Sequence, residues 1–286
     1  MISTSRTFAN FAYLFILYDL PNMLHMKTVI VPVDFSDNAL ATARYAINML
    51  SGISGVSLVL YHMYEKASEE EEAYFRLEQM KSELDAAGAI TLACHAEPGS
   101  DFPESLSRFA RHWAASLIVM GLTGKSKLEQ IFLTSNTLKL VDKNPCPVMV
   151  IPPQAEFKQI RNVALTSDFR DVDLSTPVGP IRQVLELFRP ALHIVNVNSE
   201  HYVSLDEHYL EQKSRMKALF NEFNPEFYFI GTYDFHETIN QFVSDKQIDM
   251  VITIPRSHSF IDKLFNPNHT KKLVFSSTVP VLAAHE

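Results

Sequence analysis

Two loops hold the residues with which this chain could do chemistry. Asp34-Phe35-Ser36 follows the apolar run Thr28–Val33, and Gly121-Leu122-Thr123-Gly124-Lys125-Ser126-Lys127 follows Leu117–Met120. In the second loop the paired glycines would let backbone N–H groups approach a phosphate closely, and Lys125 and Lys127 would neutralise its outer oxygens. The competing reading is a tight turn with solvated lysines. Glycine is scarce elsewhere: the chain has 8 in 286 residues, six of them before residue 150. A phosphate cradle therefore has few places to exist, and the second half has almost nothing from which to build one.

Other chemistries find little support. Gly124-Lys125-Ser126 imitates the end of a P-loop, but GxxxxGK[ST] needs glycine where Val119 stands inside a strand. GxSxG is absent, so neither Ser36 nor Ser135 has a nucleophile-elbow context. His236, His258, His269 and Asp262 lack HExxH or another recognised metal spacing. The charge balance, 33 Asp+Glu against 25 Lys+Arg, argues against a nucleic-acid partner. Cys94 and Cys146 have no CxxC or finger spacing and read as buried reduced thiols of a reducing compartment, with a disulfide between them left open. The expectation is a protein that is not an enzyme and holds no metal of its own.

The elements that must position the two loops alternate strand and helix. Thr28–Val33 reads as a buried strand, followed by a helix from about Asn38 to Leu50 and a second strand at Val56–Met63. Ser68 is expected to cap the next helix, whose first turn carries Glu69 to Glu72 as complements to the macrodipole. A third strand spans Ile90–His95, and Asp101-Phe102-Pro103-Glu104 opens a helix with Leu106, Phe109, Ala110 and Trp113 on one face. Strand four is Leu117–Met120, helix four about Ser135–Asp142, and strand five Val148–Ile151. Strands without polar alternation, separated by helices, predict a parallel sheet covered on both faces. In such a sheet ligands bind beyond the carboxyl ends of the strands, which is where both loops lie.

The pattern occurs twice. VIVPVDFS at Val29 returns as VALTSDFR at Val163, placing Asp34 opposite Asp168; LIVMG answers MVITI, SNTLKLV answers NHTKKLV, and CPVMVI answers VPVLAA. The offset is 133 to 134 residues throughout. The fold class predicted is α/β, with two tandem doubly wound open parallel-sheet domains at residues 26–153 and 158–286, joined near Pro152-Pro153. Residues 1–25 form an N-terminal extension. Its apolar stretch Phe8–Leu20 is too short to span a bilayer, and a signal-peptide core is weighed against a true start at Met26, which is favoured.

Pro32-x-Asp34-x-Ser36, His62-Met63 closing the second strand, LIVMG followed by GxxG, and PCPVMVIP resemble the universal stress protein family over both repeats, residues 26 to 286. The resemblance implies an adenine nucleotide alpha hydrolase-like fold and, in the nucleotide-binding branch, a G-x2-G-x9-G-(S/T) signature that holds the phosphates of ATP. Gly121 and Gly124 match it; Thr134 stands where glycine is wanted, followed by Ser135 as required and then Asn136. By the same resemblance Asp34 contacts the nucleoside, Val33 and Met63 flank the base, Met120 lines its pocket, Pro32 is a further nucleotide-binding residue, and Thr123 and Lys125 belong to the phosphate loop, with Mg2+ as the accompanying ion. Thr134 weakens the expected binding by filling space a phosphate would use. Opposite Gly121, Gly124 and Thr134 the second repeat has Ile254, Ser257 and Pro267, and Pro255 has no N–H, so no nucleotide is expected there. The implied role is a cytoplasmic, non-catalytic stress protein whose ATP state is read by an unidentified protein partner; the alternative is a nucleotide-free interaction scaffold. The two domains are expected to join through strand five, as the family's homodimers do, leaving a monomer with an internal pseudo-dimer or a chain that pairs again. Neither nucleic acid nor a membrane is expected as a partner.

Overall fold

Strands that are apolar on both faces need a helix layer on each side. The computed structural model describes residues 27–84, 90–121, 139–140, 143, 145–152, 155–169, 171–198, 207–231, 235–254, 277 and 279–284. The first half runs β1 (Lys27–Pro32), α1 (Asp37–Leu50), β2 (Val56–Tyr64), α2 (Glu70–Leu84), β3 (Thr91–Pro98), α3 (Phe102–His112), β4 (Leu117–Gly121) and β5 (Val148–Ile151). The second runs β6 (Asn162–Thr166), α4 (Val172–Ser175), α5 (Val178–Phe188), β7 (Ala191–Asn198), α6 (Glu207–Leu219), β8 (Glu226–Gly231), α7 (Phe235–Asp245), β9 (Met250–Thr253) and β10 (Val281–Ala283).

Among the described residues the strands form one ten-stranded sheet in the order β3-β2-β1-β4-β5-β10-β9-β6-β7-β8. Each half thus has the same internal order, and neighbours within a half are parallel. The halves meet where β5 pairs β10 antiparallel, Val150 with Val281, Met149 with Leu282 and Val148 with Ala283. This is a doubly wound α/β arrangement, with successive residues of β1 serving opposite layers. Val29 and Val31 pack with α1, α2, α5 and α6 in a core that runs across the junction through Met149 and Leu282. Ile30 packs with α3 in a second core, and α7 covers a third on β6, β7 and β9.

The helices start where side chains can take up free N–H groups. Ser36 caps α1 by accepting from Ala39 N, and Asp101 caps α3 by accepting from Glu104 N at 3.0 Å, with proline in the first turn. The expected cap at Ser68 is not made. Residues Ala67–Glu69 form a 3-10 turn, and the Glu69 carboxylate accepts from Glu65 N and Lys66 N, both at 3.1 Å. The helical turn thus begins before Ser68, with Lys66 at its N-cap, and a residue inside the first turn is no longer at the flanking position from which a side chain caps.

The two halves also repeat backbone conformations that their residue types disfavour. Phe35 and Phe169 are both left-handed, with φ 62 and 54, as are Ala114 and Gln247, with φ 45 and 50. The latter pair ends α3 and α7 in the same way, Ala115 N donating to Ala110 O and Ile248 N to Val243 O at 2.8 and 2.9 Å. This is the six-to-one bond that glycine usually serves. Glycine is scarce here in part because the chain uses other residues at left-handed positions.

Both thiols are free and half-buried, and burial pushes each up to about 12, which leaves them protonated and poorly nucleophilic. Two imidazoles are shifted the other way. His95 stacks on Phe109 at 4.3 Å and Tyr61 at 6.0 Å, and burial lowers its pKa against the opposing pull of Glu97. Burial likewise lowers His193, with Glu226 opposing and Lys246 assisting. The unfolded chain therefore takes up protons first as pH falls. Their contribution to stability is whole above the free-imidazole value of 6.5 and is lost as pH falls through the lower folded values. Urea midpoints are expected to fall between pH 7.5 and 5, with a shallower fall in His95→Phe; an unchanged slope in that variant would remove His95 from the account.

Candidate functional site

Parallel pairing sets the ends of β1, β2 and β4 side by side. Ile30 pairs Ile118, and continuing that register brings Val33 level with Gly121; Pro32 pairs Tyr61, so His62 and Met63 lie just beyond. The sequence-predicted residues Pro32, Val33, Asp34, Met63, Met120 and Gly121 are thus gathered at one end of the first-half sheet. Thr123, Gly124, Lys125, Thr134, Ser135 and Asn136 lie outside the described residues, as do Pro255, Ser257 and Pro267. Of the expected helix at Ser135–Asp142, Lys139 and Leu140 are described and helical.

Asp34 is exposed and firmly oriented. Its Oδ1 accepts from the Ser36 amide at 3.0 Å and the Ser36 hydroxyl at 2.6 Å, and Ser36 Oγ accepts from Ala39 N at 3.2 Å. One serine therefore caps α1 and holds the carboxylate. Between them Phe35 sits at φ 62, a conformation costly for a bulky residue by about 1–3 kcal/mol. Its ring is pinned between His62, centroids 4.4 Å apart, and the Arg76 guanidinium at 4.2 Å. His62 Nδ1 lies 2.8 Å from the Val33 carbonyl, and since a carbonyl only accepts, Nδ1 carries the proton.

Close backbone approach explains two glycines. A Cβ on Gly99 would lie 2.7 Å from Met63 Sδ and 2.8 Å from Ser105 Oγ. A Cβ on Gly121 would lie 2.1 Å from Thr42 Oγ1 and 2.5 Å from Asn38 Nδ2, so α1 rests directly on the end of β4. Val33 is buried, Met63 half-buried, and Met120 is buried in the core that holds Tyr61, Leu106 and Phe109. Asn38 and Gly99 are the neighbours sequence reading passed over, and His62 entered it as a motif residue without a role at the site. For Asn38 a signal existed in its repeat partner, the apolar Val172.

The second half keeps the frame and closes the site. Asn196 Nδ2 donates to Ser167 O at 2.8 Å, the tie that His62 makes to Val33. Phe169 is 1% exposed, its ring 5.4 Å from those of Tyr209 and Phe229, where Phe35 is half-buried. Ile254 replaces Gly121 and packs on the core, and the helix that would meet it is broken at Thr176-Pro177 into α4 and α5. Proline cannot continue the backbone ladder, so the second half has no unbroken counterpart of α1.

Among the described residues no three His, Cys, Asp or Glu are grouped to hold a metal, and no helix is long and apolar enough to cross a membrane. A cavity of about 1040 Å³, lined by Tyr45, Arg161, Asn162 and Asp249 among others, lies at the starts of β6, β9 and β10, which the antiparallel β5–β10 pair sets at the same end of the sheet as the end of β5.

A sequence profile of the Universal stress protein family matches residues 25–152. A universal stress protein of Methanocaldococcus jannaschii is 30% identical over 141 residues, covering 44% of this chain and 81% of the relative. One of Thermus aquaticus is 29% identical over 135 residues, covering 44% of this chain and 98% of its own length. In fold, the crystal structure of a universal stress protein from Archaeoglobus fulgidus has a TM-score of 0.66 at 17% identity, over 91% of this chain and 96% of that one. Sequence likeness through β1 to β5 and a fold shared across both halves agree: this chain belongs to the universal stress protein family.

Proposed function

We propose that the first half binds an adenine nucleotide, ATP in the first instance, and that the protein serves a non-catalytic stress-response or signalling role in the cytoplasm. The observation that carries this reading is the contrast between two copies of one site. In the first, a fixed and exposed Asp34 carboxylate stands one residue beyond the level of Gly121; in the second, Ile254 occupies the place of that glycine. Asp34 would accept from nucleoside hydroxyl or amino groups, Val33 and Met63 would offer an apolar wall, and the Gly121 backbone would admit close approach. Bound nucleotide would supply the charge that a protein partner reads, with Mg2+ neutralising part of it. The second half serves as the structural partner, its β10 covering the edge that β5 would otherwise expose.

A specific observation favours the second reading, a nucleotide-free scaffold: contact with Thr42 and Asn38 requires glycine at 121 whether or not a ligand binds. Calorimetric titration of the full chain with ATP and Mg2+ separates the two. Saturable binding is expected, weakened at least tenfold by Asp34→Ala and unaffected by Asp168→Ala. No heat and no thermal shift at millimolar ATP would leave the scaffold.

A further inference from the structure

The repeat creates two seams, in each of which the strand starts of one half meet a helix of the other. Ser116 before β4 and Asp249 before β9 occupy matching positions, each giving its backbone N–H to the neighbouring strand, to Thr28 O and Asn162 O at 2.8 Å. Lys27 and Arg161 match in the same way at the starts of β1 and β6. The first seam is closed by direct bonds. Gln183 of α5 donates to Ser116 Oγ at 3.0 Å, and Lys27 Nζ reaches Gln183 O at 3.5 Å and Glu186 at 3.7 Å.

The second seam is open. Between α1 and the starts of β6, β9 and β10 lies the cavity of about 1040 Å³, ample for a small molecule, and the buried side chains of Tyr45, Val243 and Ile248 give it an apolar wall. Charges of both signs stand in it without pairing to each other. Asp249 Oδ2 accepts from the backbone N–H groups of Arg161 and Asn162, at 2.8 and 2.9 Å, and not from the Arg161 guanidinium. Arg161 Nε and Nη2 donate instead to the neutral Gln159 Oε1, at 3.1 and 2.9 Å. Lys158 and Glu156 line the same cavity, and none of these four charged residues forms an ion pair among the described residues. A purely anionic ligand would face Asp249 and Glu156, and a purely cationic one Lys158 and Arg161. A molecule carrying both charges complements both pairs.

We propose that the open seam is a second binding site, for a small zwitterion with an apolar body: a short peptide with free termini, or a free amino acid. Its carboxylate would lie toward Arg161 and Lys158, its ammonium toward Asp249 and Glu156, and its side chains against Tyr45, Val243 and Ile248. The site owes nothing to the nucleotide reading, since it exists only where the two halves join.

The test is calorimetric titration of the full chain with two probes, L-phenylalanine and tri-leucine. Saturable binding of one molecule per chain is expected for at least one of them, and the tighter probe tells amino acid from peptide. N-acetylated and C-amidated forms of that probe each lack one charge and should bind about tenfold more weakly, as should the free probe to Arg161→Gln, whose side chain is exposed. Ser244 lines the cavity from α7 and is exposed, so Ser244→Trp should fill the space and abolish binding while the melting temperature holds. No saturation by either probe at millimolar concentration overturns the proposal. So does a capped probe that binds within twofold of the free one, or affinity kept within twofold by both variants.

Discussion

Gly121→Val is expected to destabilise the protein more than any other single substitution at the candidate site. The new Cβ would lie 2.1 Å from Thr42 Oγ1 and 3.3 Å from Thr42 Cβ, far inside contact distance. Thr42 cannot swing away cheaply: it is 3% exposed, and its hydroxyl donates to Asn38 O at 2.8 Å. Relief would require α1 to lift from the sheet, and α1 buries Ala39, Ala43, Ala46 and Leu50 there. Overpacking of this kind costs about 1–3 kcal/mol, and valine adds two further methyls to the clash. The loss should appear as a lower denaturant midpoint with unchanged slope. Gly121→Ala should be milder, and combining it with Thr42→Ala should recover part of the loss, because the two positions share one contact. An unaltered midpoint in Gly121→Val would mean that α1 does not rest on β4 as described.

The second large effect concerns the junction. Leu282 and Met149 face each other across the antiparallel β5–β10 pair, and both are fully buried in the core that runs through both halves. Leu282→Ala should cost about 2–5 kcal/mol, since methyl groups are lost and the flanking strands cannot collapse around the cavity. Leu282→Asp adds a buried charge without a partner and is expected to abolish cooperative folding of the ten-stranded sheet. Thermal unfolding followed by circular dichroism checks both. A melting temperature for Leu282→Ala within a degree of wild type would show that the halves do not depend on this seam.

Much of the fold was legible because burial and capping are local in their demands. The unalternating runs at Val29, Leu117 and Val148 are strands, and Asp101 with Pro103 opens α3 as expected. The cap expected at Ser68 is not made because a 3-10 turn starts the helix at Ala67, with Lys66 at its N-cap and the Glu69 carboxylate reaching back to the free N–H groups there. The left-handed backbones at Phe35, Phe169, Ala114 and Gln247 were not legible at all. Residue type argues against each one, and surrounding contacts hold at least the first two: His62 and Arg76 on the Phe35 ring, an aromatic cluster on that of Phe169.

At the site the division is sharper. Periodicity and self-comparison locate the strand ends, the Asp34 loop and the glycine asymmetry between the halves, because each depends on residue type and spacing along the chain. They say nothing of why Gly121 is bare: the reason is the approach of Thr42 and Asn38, some eighty residues away in the chain. Nor do they expose the helix break at Thr176-Pro177 or the unsatisfied amide of Asn38. Steric exclusion and hydrogen-bond accounting are properties of groups brought together through space, and only the packed helix and sheet assemble them.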